Sequence, residues 1–144
     1  MEELESNLNA PIEETLLEKY QKEISIALQF DPFNVKEKQM DLPNKRHYWV
    51  GRLAFHKQES NRLRELKLRA GKILHDKIKH QSPIGLNEKV VNSSVENNEI
   101  IKNIDSKIHE NDNLIDYLTR VESNFRDTSF AIKNYIALVT LETT

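Results

Sequence analysis

The sequence of 144 residues contains no cysteine, only three glycines and only four prolines. The absence of cysteine excludes disulfide bonds and thiolate metal sites. The scarcity of glycine and proline disfavours a turn-rich all-β fold. No apolar run approaches the roughly 18 residues of a membrane-spanning helix, and the amino terminus (Met1–Glu5) is acidic rather than signal-like. We therefore expect a soluble, intracellular, all-α protein that does not act at a membrane.

Recognisable catalytic motifs are also missing. The three scattered glycines form neither a Walker loop nor a dinucleotide-binding fingerprint, and there is no HExxH sequence. His75 and Asp76 are adjacent, and adjacent residues on a helix do not face each other. We predict no catalytic residue, no metal and no cofactor, and we expect the five histidines to be solvated helix residues.

Charge, in contrast, is sorted into blocks along the chain. Residues 1–44 carry 4 Lys and Arg against 10 Asp and Glu, residues 45–80 carry 11 against 3, and residues 81–144 carry 6 against 10. The formal net charge of −2 hides this basic middle segment. A run of cations repels itself unless acidic flanks, a neighbouring subunit or a nucleic-acid backbone neutralises it, so the segment is a candidate surface for a polyanion.

We predict a single domain, residues 1–144, whose first part is the acidic segment 1–44. Apolar residues at helical spacing predict a short helix over about residues 11–25, with Pro11 in its first turn. The Asp-Pro pair that begins at Asp31 interrupts the helical pattern, because the residue before a proline disfavours the helical conformation. Residues 35–43 are expected to be extended or irregular, and Asn44 to cap the next helix.

The second part, residues 45–80, is predicted to be one long basic helix. At 100° per residue, one apolar face is formed by Leu63, Leu66, Ala70, Ile73 and Leu74. Trp49 is expected to be a core anchor rather than a ring that stacks on bases. Seven cations on the rest of the circumference are the candidates for neutralising phosphate: Arg62, Arg64, Lys67, Arg69, Lys72, Lys77 and Lys79.

The third part, residues 94–139, is predicted to be a second long amphipathic helix with heptad-like spacing. Asn111 occupies one of the apolar positions, where a polar residue sets the register of a bundle or coil. A helix of this length would span about 70 Å, too long for a compact domain of this size. Either the helix is interrupted at residues 126–129 or it packs against other subunits. We favour self-association and predict contacts between subunits through seven residues of this helix: Ile101, Ile104, Ile108, Ile115, Leu118, Phe125 and Ile132.

The order of several short motifs resembles the UvsY-type recombination mediators of tailed phages. These motifs are Asp31-Pro32-Phe33-Asn34-Val35, Leu42-Pro43, His47-Tyr48-Trp49, the long basic helix, and Phe130-Ala131-Ile132-Lys133-Asn134-Tyr135-Ile136, and the similarity covers roughly residues 20–138. The resemblance implies a non-enzymatic, ring-like homo-oligomer that binds single-stranded DNA. It further implies that the protein helps the phage recombinase displace the phage single-strand-binding protein, in the cytoplasm of an infected bacterial host cell.

In that family the DNA-contacting Lys and Arg lie in an L-K-x-R pattern on the basic helix. Leu66-Lys67-Leu68-Arg69 matches the pattern directly. Keeping the spacing from Trp49 without a gap instead places the lysine at Lys72 and puts Leu74 where the arginine would be. Both alignments stay open on the sequence. The chain also has His80-Gln81-Ser82-Pro83 where the family has a Tyr-Tyr pair and a glycine.

A second interpretation belongs to a different class of function. A basic helix that binds an acidic patch on a neighbour, together with a heptad-patterned helix, also fits a non-enzymatic structural or scaffold assembly. Oligomerisation without DNA binding would distinguish that protein from a mediator. A small enzyme, the third class, would require a cluster of reactive side chains that the sequence does not display.

Overall fold

The computed structural model describes residues 14–82 and 85–143, and these residues form helices and connecting turns without a strand. The four helices of these residues are α1 (Leu16–Leu28), α2 (Val35–Gln81), α3 (Glu88–Glu96) and α4 (Glu99–Thr143). The predicted all-α architecture, with one short helix before two long ones, is confirmed. The first ten residues and Pro11, at the start of the predicted first helix, lie outside the described residues.

The two long helices form an antiparallel hairpin. Buried positions recur every seven residues on both helices: Val35, Leu42, Trp49, His56 and Leu63 on α2, and Ile104, Asn111, Leu118, Phe125 and Ile132 on α4. A seven-residue repeat keeps one seam of each helix facing the other, as in a coiled coil. The contacts of His56 with Asn111 and of Lys67 with Asp105 fix the antiparallel register.

Helix α1 packs against the half of the hairpin that contains the start of α2. The Thr15 side chain accepts a hydrogen bond from the Glu18 N–H, and Glu18 reaches back to the Thr15 N–H, so a capping box starts the helix. The ring of Tyr20 meets Trp49 edge to face at 5.0 Å. At the other end of α1, the Ile26 carbonyl oxygen accepts from the Gln29 N–H at 3.3 Å and from Lys38 Nζ at 3.1 Å, so the lysine adds a second hydrogen bond where the helix ends.

Helix α2 begins at Val35, ten residues earlier than the sequence predicts, and it continues through Pro43. The expected irregular segment 35–43 and the expected cap at Asn44 are therefore wrong. The turn before the helix is closed by Asp31, whose carboxylate accepts hydrogen bonds from the N–H groups of the second and third residues after it. Burial of Val35 and Leu42 in the seven-residue register outweighs the hydrogen bond lost at the proline.

The predicted helix over residues 94–139 is divided into two. Helix α3 ends at Glu96, and α4 starts at Glu99 because the Asn98 side chain accepts a hydrogen bond from the Ile100 N–H. Of the two alternatives for this helix, the interruption at residues 126–129 does not occur, and α4 continues to Thr143.

Candidate nucleic-acid interface

Two of the predicted phosphate-binding cations form ion pairs across the hairpin with acidic residues of α4. Arg64 Nη2 lies 3.0 Å from Asp112 Oδ2, and Lys67 Nζ lies 2.7 Å from Asp105 Oδ1. Ser60 lies between the helices, where its hydroxyl accepts from Arg64 Nε and donates to the other oxygen of Asp112, both at 3.3 Å. The acidic C-terminal third of the chain thus neutralises part of the basic segment, and every charged side chain of these pairs is about half exposed.

Two further cations pair with carboxylates on their own helix. Arg62 donates two hydrogen bonds to Glu59, three residues before it, at 2.5 and 3.0 Å. Arg69 lies 3.9 Å from Glu65, four residues before it. Both are local pairs on the exposed surface of α2, and such pairs contribute little to stability.

Lys79 and His75 bind Glu88, the first residue of α3. Lys79 Nζ lies 2.6 Å from Glu88 Oε1, and His75 Nε2 lies 2.9 Å from Oε2. The hydrogen bond from Lys79, followed by that from His75, lowers the pKa of Glu88 from its usual 4.5 to about 2. The same contact raises the pKa of Lys79. These contacts attach α3 to the end of α2.

The remaining two predicted cations, Lys72 and Lys77, are exposed. Neither forms an ion pair with any residue in the described part of the chain. Their ammonium groups are therefore open to an external anion. The other five cations can bind an external anion only if they break or weaken their ion pair with a carboxylate.

An open groove of about 800 Å³ lies where α2, α3 and α4 meet. Three of the seven cations line it: Arg64, Lys67 and Lys72. The other four (Arg62, Arg69, Lys77 and Lys79) do not. We call this feature the basic groove. Apolar side chains from all three helices also line it, among them Leu68, Val95, Ile101 and Ile108.

The groove separates the two residues of the L-K-x-R match. Lys67 and Arg69 are two positions apart, which is about 200° around a helix, so they point to different sides of α2. Lys67 lines the basic groove and Arg69 does not. Lys72, the lysine of the gap-free alignment, lines the same groove as Lys67, so the lysines of both alignments belong to one surface.

Acidic residues of the basic groove are the part of the site that the sequence did not identify. Asp76, Glu96 and Asp105 line it beside the three cations. The charge blocks contained the signal for Asp105, because a C-terminal helix that folds back on α2 brings an acidic block against a basic one. Without the antiparallel register, however, no individual pair could be named.

A buried polar network crosses the hairpin beside the groove, and it corrects the expectation that all histidines are solvated. His56 is 3% exposed. The Asn111 amide nitrogen donates to the His56 carbonyl oxygen at 2.8 Å, so its oxygen must accept from His56 Nδ1–H at 2.9 Å. Nε2 is then the acceptor for the Tyr20 hydroxyl at 2.9 Å, and Arg52 donates to that hydroxyl oxygen in turn. Asn111 thereby fixes the register within one chain.

The seven predicted oligomerisation residues form part of the core of the single chain. Six are buried and one is half-buried: Ile101, Ile104, Ile108, Leu118, Phe125 and Ile132, and then Ile115. Their predicted role in contacts between subunits stays a prediction. Trp49 is a core residue, as expected, at 4% exposed. Of the packing face predicted for α2, Leu63 is buried and Ala70 and Leu74 are partly buried. Leu66 and Ile73 are exposed, because the seven-residue register passes through Leu63 and Ala70.

Neither a metal site nor a membrane span is apparent in residues 14–82 and 85–143. No three His, Asp or Glu side chains of this part converge as ligands. None of its helices has the length and apolar character needed to cross a bilayer.

Neither a protein-family model nor a curated protein sequence matches the chain. Three crystal forms of the bacteriophage T4 recombination mediator protein UvsY are similar in structure, with TM-scores of 0.75, 0.73 and 0.70. The aligned parts cover 89 to 91% of this chain and 99 to 100% of those chains, at 16 to 17% sequence identity. The resemblance seen in the sequence is confirmed at the level of structure: this chain is an all-α protein with the fold of the T4 recombination mediator UvsY.

Proposed function

We propose that the protein is a single-stranded DNA-binding recombination mediator that loads a phage RecA-like recombinase onto DNA coated with single-strand-binding protein. The observation that carries the proposal is the row of half-exposed and exposed cations on α2, in a chain that shares the fold of a recombination mediator. The protein acts by binding and not as an enzyme, in the cytoplasm of an infected bacterium.

The chemistry of the basic groove suits phosphate. Lys72 is free to bind an anion, and Lys67 is held by an exposed ion pair. Arg64 is held by an exposed ion pair and by a 3.3 Å hydrogen bond to Ser60. Exposed ion pairs typically contribute no more than about 1 kcal/mol each. A phosphate group can therefore replace a carboxylate at low cost. Contacts of this kind position a DNA backbone without reading its sequence, and their affinity falls steeply with salt.

Oligomerisation raises the affinity that one chain can supply. A single groove offers only a few phosphate contacts, whereas a ring-like homo-oligomer presents the groove several times to one strand and gains avidity. Exposed apolar residues on α2 offer surface for contacts between copies: Tyr48, Phe55, Leu66 and Ile73. The seven α4 residues named above are proposed to support these contacts indirectly, because they hold the hairpin together.

A structural or scaffold assembly is the second candidate function. The observation that favours it is the internal neutralisation of Arg46, Arg64, Lys67 and Lys79 by acidic residues from α3 and α4. If those carboxylates are the permanent partners of the basic segment, the exposed apolar residues on α2 are the main interaction surface. Such a protein would assemble without binding DNA.

The test combines binding with loading. Binding to single-stranded and double-stranded oligonucleotides of equal length is measured at low salt. The recombinase and single-strand-binding protein from the same source as the chain are then combined on single-stranded DNA, and ATP hydrolysis by the recombinase is followed. We expect preference for the single strand and a shorter lag when the protein is present. An assembled protein with no DNA binding at low salt would contradict the mediator and support the scaffold.

A further inference from the structure

Two carboxylates of α4 pair with cations of the basic groove: Asp105, which lines the groove, and Asp112, which lies outside its lining. They differ from ordinary surface acids in how they are held. Asp105 lies one position after buried Ile104, and Asp112 lies one position after Asn111, whose amide joins the two long helices. Aspartate has a short side chain, so these two carboxylates stay close to the α4 backbone.

The cations opposite them are long and half exposed. The Arg64 side chain is 56% exposed and the Lys67 side chain is 44% exposed. Both side chains have several rotatable bonds. Among the described residues, the Lys67 ammonium group contacts only Asp105, whereas the Arg64 guanidinium also donates from Nε to the buried Ser60 hydroxyl at 3.3 Å. When an ion pair opens, the cation moves away while the carboxylate remains in position beside the groove.

We infer that Asp105 and Asp112 are built-in competitors of the DNA phosphates for Lys67 and Arg64, and that they set the affinity of the groove for the strand. This inference rests on the proposed function. A phosphate that binds one of these cations must first break its ion pair, and it then lies near the negative carboxylate, which stays in place. Both the broken ion pair and the repulsion weaken binding. When the strand dissociates, the carboxylate pairs with the cation again. This favours release of the strand, which a protein that transfers DNA to a recombinase requires.

The test replaces both carboxylates by amides of the same shape, Asp105→Asn with Asp112→Asn. A matched control, Asp116→Asn with Asp127→Asn, removes the same two charges from exposed positions of the same helix. In the described residues the ion pair of Asp116 is with Arg120, on α4 itself. Affinity for a fluorescein-labelled oligo(dT) is measured by anisotropy across a salt series, and circular dichroism checks that each variant is folded.

We expect the double replacement at the groove to tighten binding by about fivefold at low salt, and the control to change it by less than about twofold. The salt dependence should keep its slope, because the number of phosphates bound is unchanged. The single variants Asp105→Asn and Asp112→Asn should each give part of the effect, and they replace the double variant if it unfolds.

The outcomes separate this inference from the proposed function. If the unmodified protein binds DNA and the groove variant binds no more tightly than the control, the carboxylates are not competitors and the inference is wrong. If the unmodified protein does not bind oligo(dT) at low salt, the proposed function itself is wrong. Tighter binding of the groove variant alone supports both.

Discussion

The two halves of the α2–α4 hairpin are held together by different forces. In the anchored half (α1, residues 35–56 and residues 111–132), Tyr20, Trp49 and Phe125 belong to one large apolar core crossed by the buried hydrogen bonds of His56. In the groove half (residues 60–81, α3 and residues 99–108), the buried apolar side chains are fewer and all aliphatic, and exposed ion pairs also join the helices. These buried side chains are Leu63, Val91, Ile101, Ile104 and Ile108. The anchored half fixes the fold, and the groove half holds its charges in contacts that rearrange at little cost.

The largest effect is expected from the apolar core of the anchored half. Phe125 is 1% exposed, and Phe125→Ala should lower the free energy of unfolding by about 3–5 kcal/mol. Phe130→Ala, on the exposed side of the same helix, is the control and should change it by less than about 1 kcal/mol. Urea denaturation measures both. Equal losses in the two variants would mean that this half is not the anchor.

A smaller effect is expected from the buried network. Asn111→Ala leaves His56 Nδ1–H without a partner in a buried site, at about 1–3 kcal/mol, and it removes the second hydrogen bond to the His56 carbonyl oxygen. Asn113→Ala, two positions away and exposed, is the control. The same denaturation experiment compares them. A loss below about 1 kcal/mol at Asn111 would contradict the role of the network in setting the register.

A gain of stability is expected in the groove half. A Cβ atom added at Gly71 would meet Val95 Cγ1 at 3.9 Å, an ordinary van der Waals distance. Gly71→Ala should therefore raise the free energy of unfolding by about 0.5–1 kcal/mol through helix propensity. Gly51→Ala, which meets nothing within 4 Å, should give a similar gain. A loss at Gly71 alone would show that α3 packs more tightly on α2 than this distance indicates.

The smallest effect is local to α3 and depends on pH. Because the pKa of Glu88 lies at about 2 when Lys79 and His75 bind it, below its usual 4.5, the contact contributes stability above pH 4.5 and loses it as the pH falls towards 2. A carbon-13 titration of the Glu88 carboxyl should show this low midpoint, and Lys79→Met should move it upwards. A midpoint near 4.5 in the unmodified protein would mean that Glu88 does not bind Lys79 in solution.

Within the anchored half, the sequence predicted α4 better than the start of α2. The apolar spacing of α4 identified its core positions, and Asn111 was recognised as a residue that sets register. What the sequence could not give was the long-range partner. Whether Ile104 packs against another chain or against Leu63 of its own chain depends on the connection through α3, and local spacing does not contain that information.

Two further differences between the predicted and the observed structure also arise from long-range contacts. Local preference disfavours a helix at Pro43 and in the residues before it. The burial of Val35 and Leu42 on the seam that faces α4 overrides this preference, and local preference does not contain that burial. His56 looked solvated because its partners are 36 and 55 residues away. In the groove, the cations were identified from the charge run, whereas their carboxylate partners required the fold.

The most direct test of the central claim, that the groove half binds single-stranded DNA through its cations, is a salt series of oligo(dT) binding by fluorescence anisotropy. Lys67→Glu with Lys72→Glu is compared with Lys107→Glu and Lys133→Glu, which make the same charge change at exposed positions outside the groove. We predict at least about a tenfold loss of affinity at low salt, and a salt slope smaller by about two, for the groove variant alone. Equal losses in both variants would show that only net charge matters and would contradict the claim.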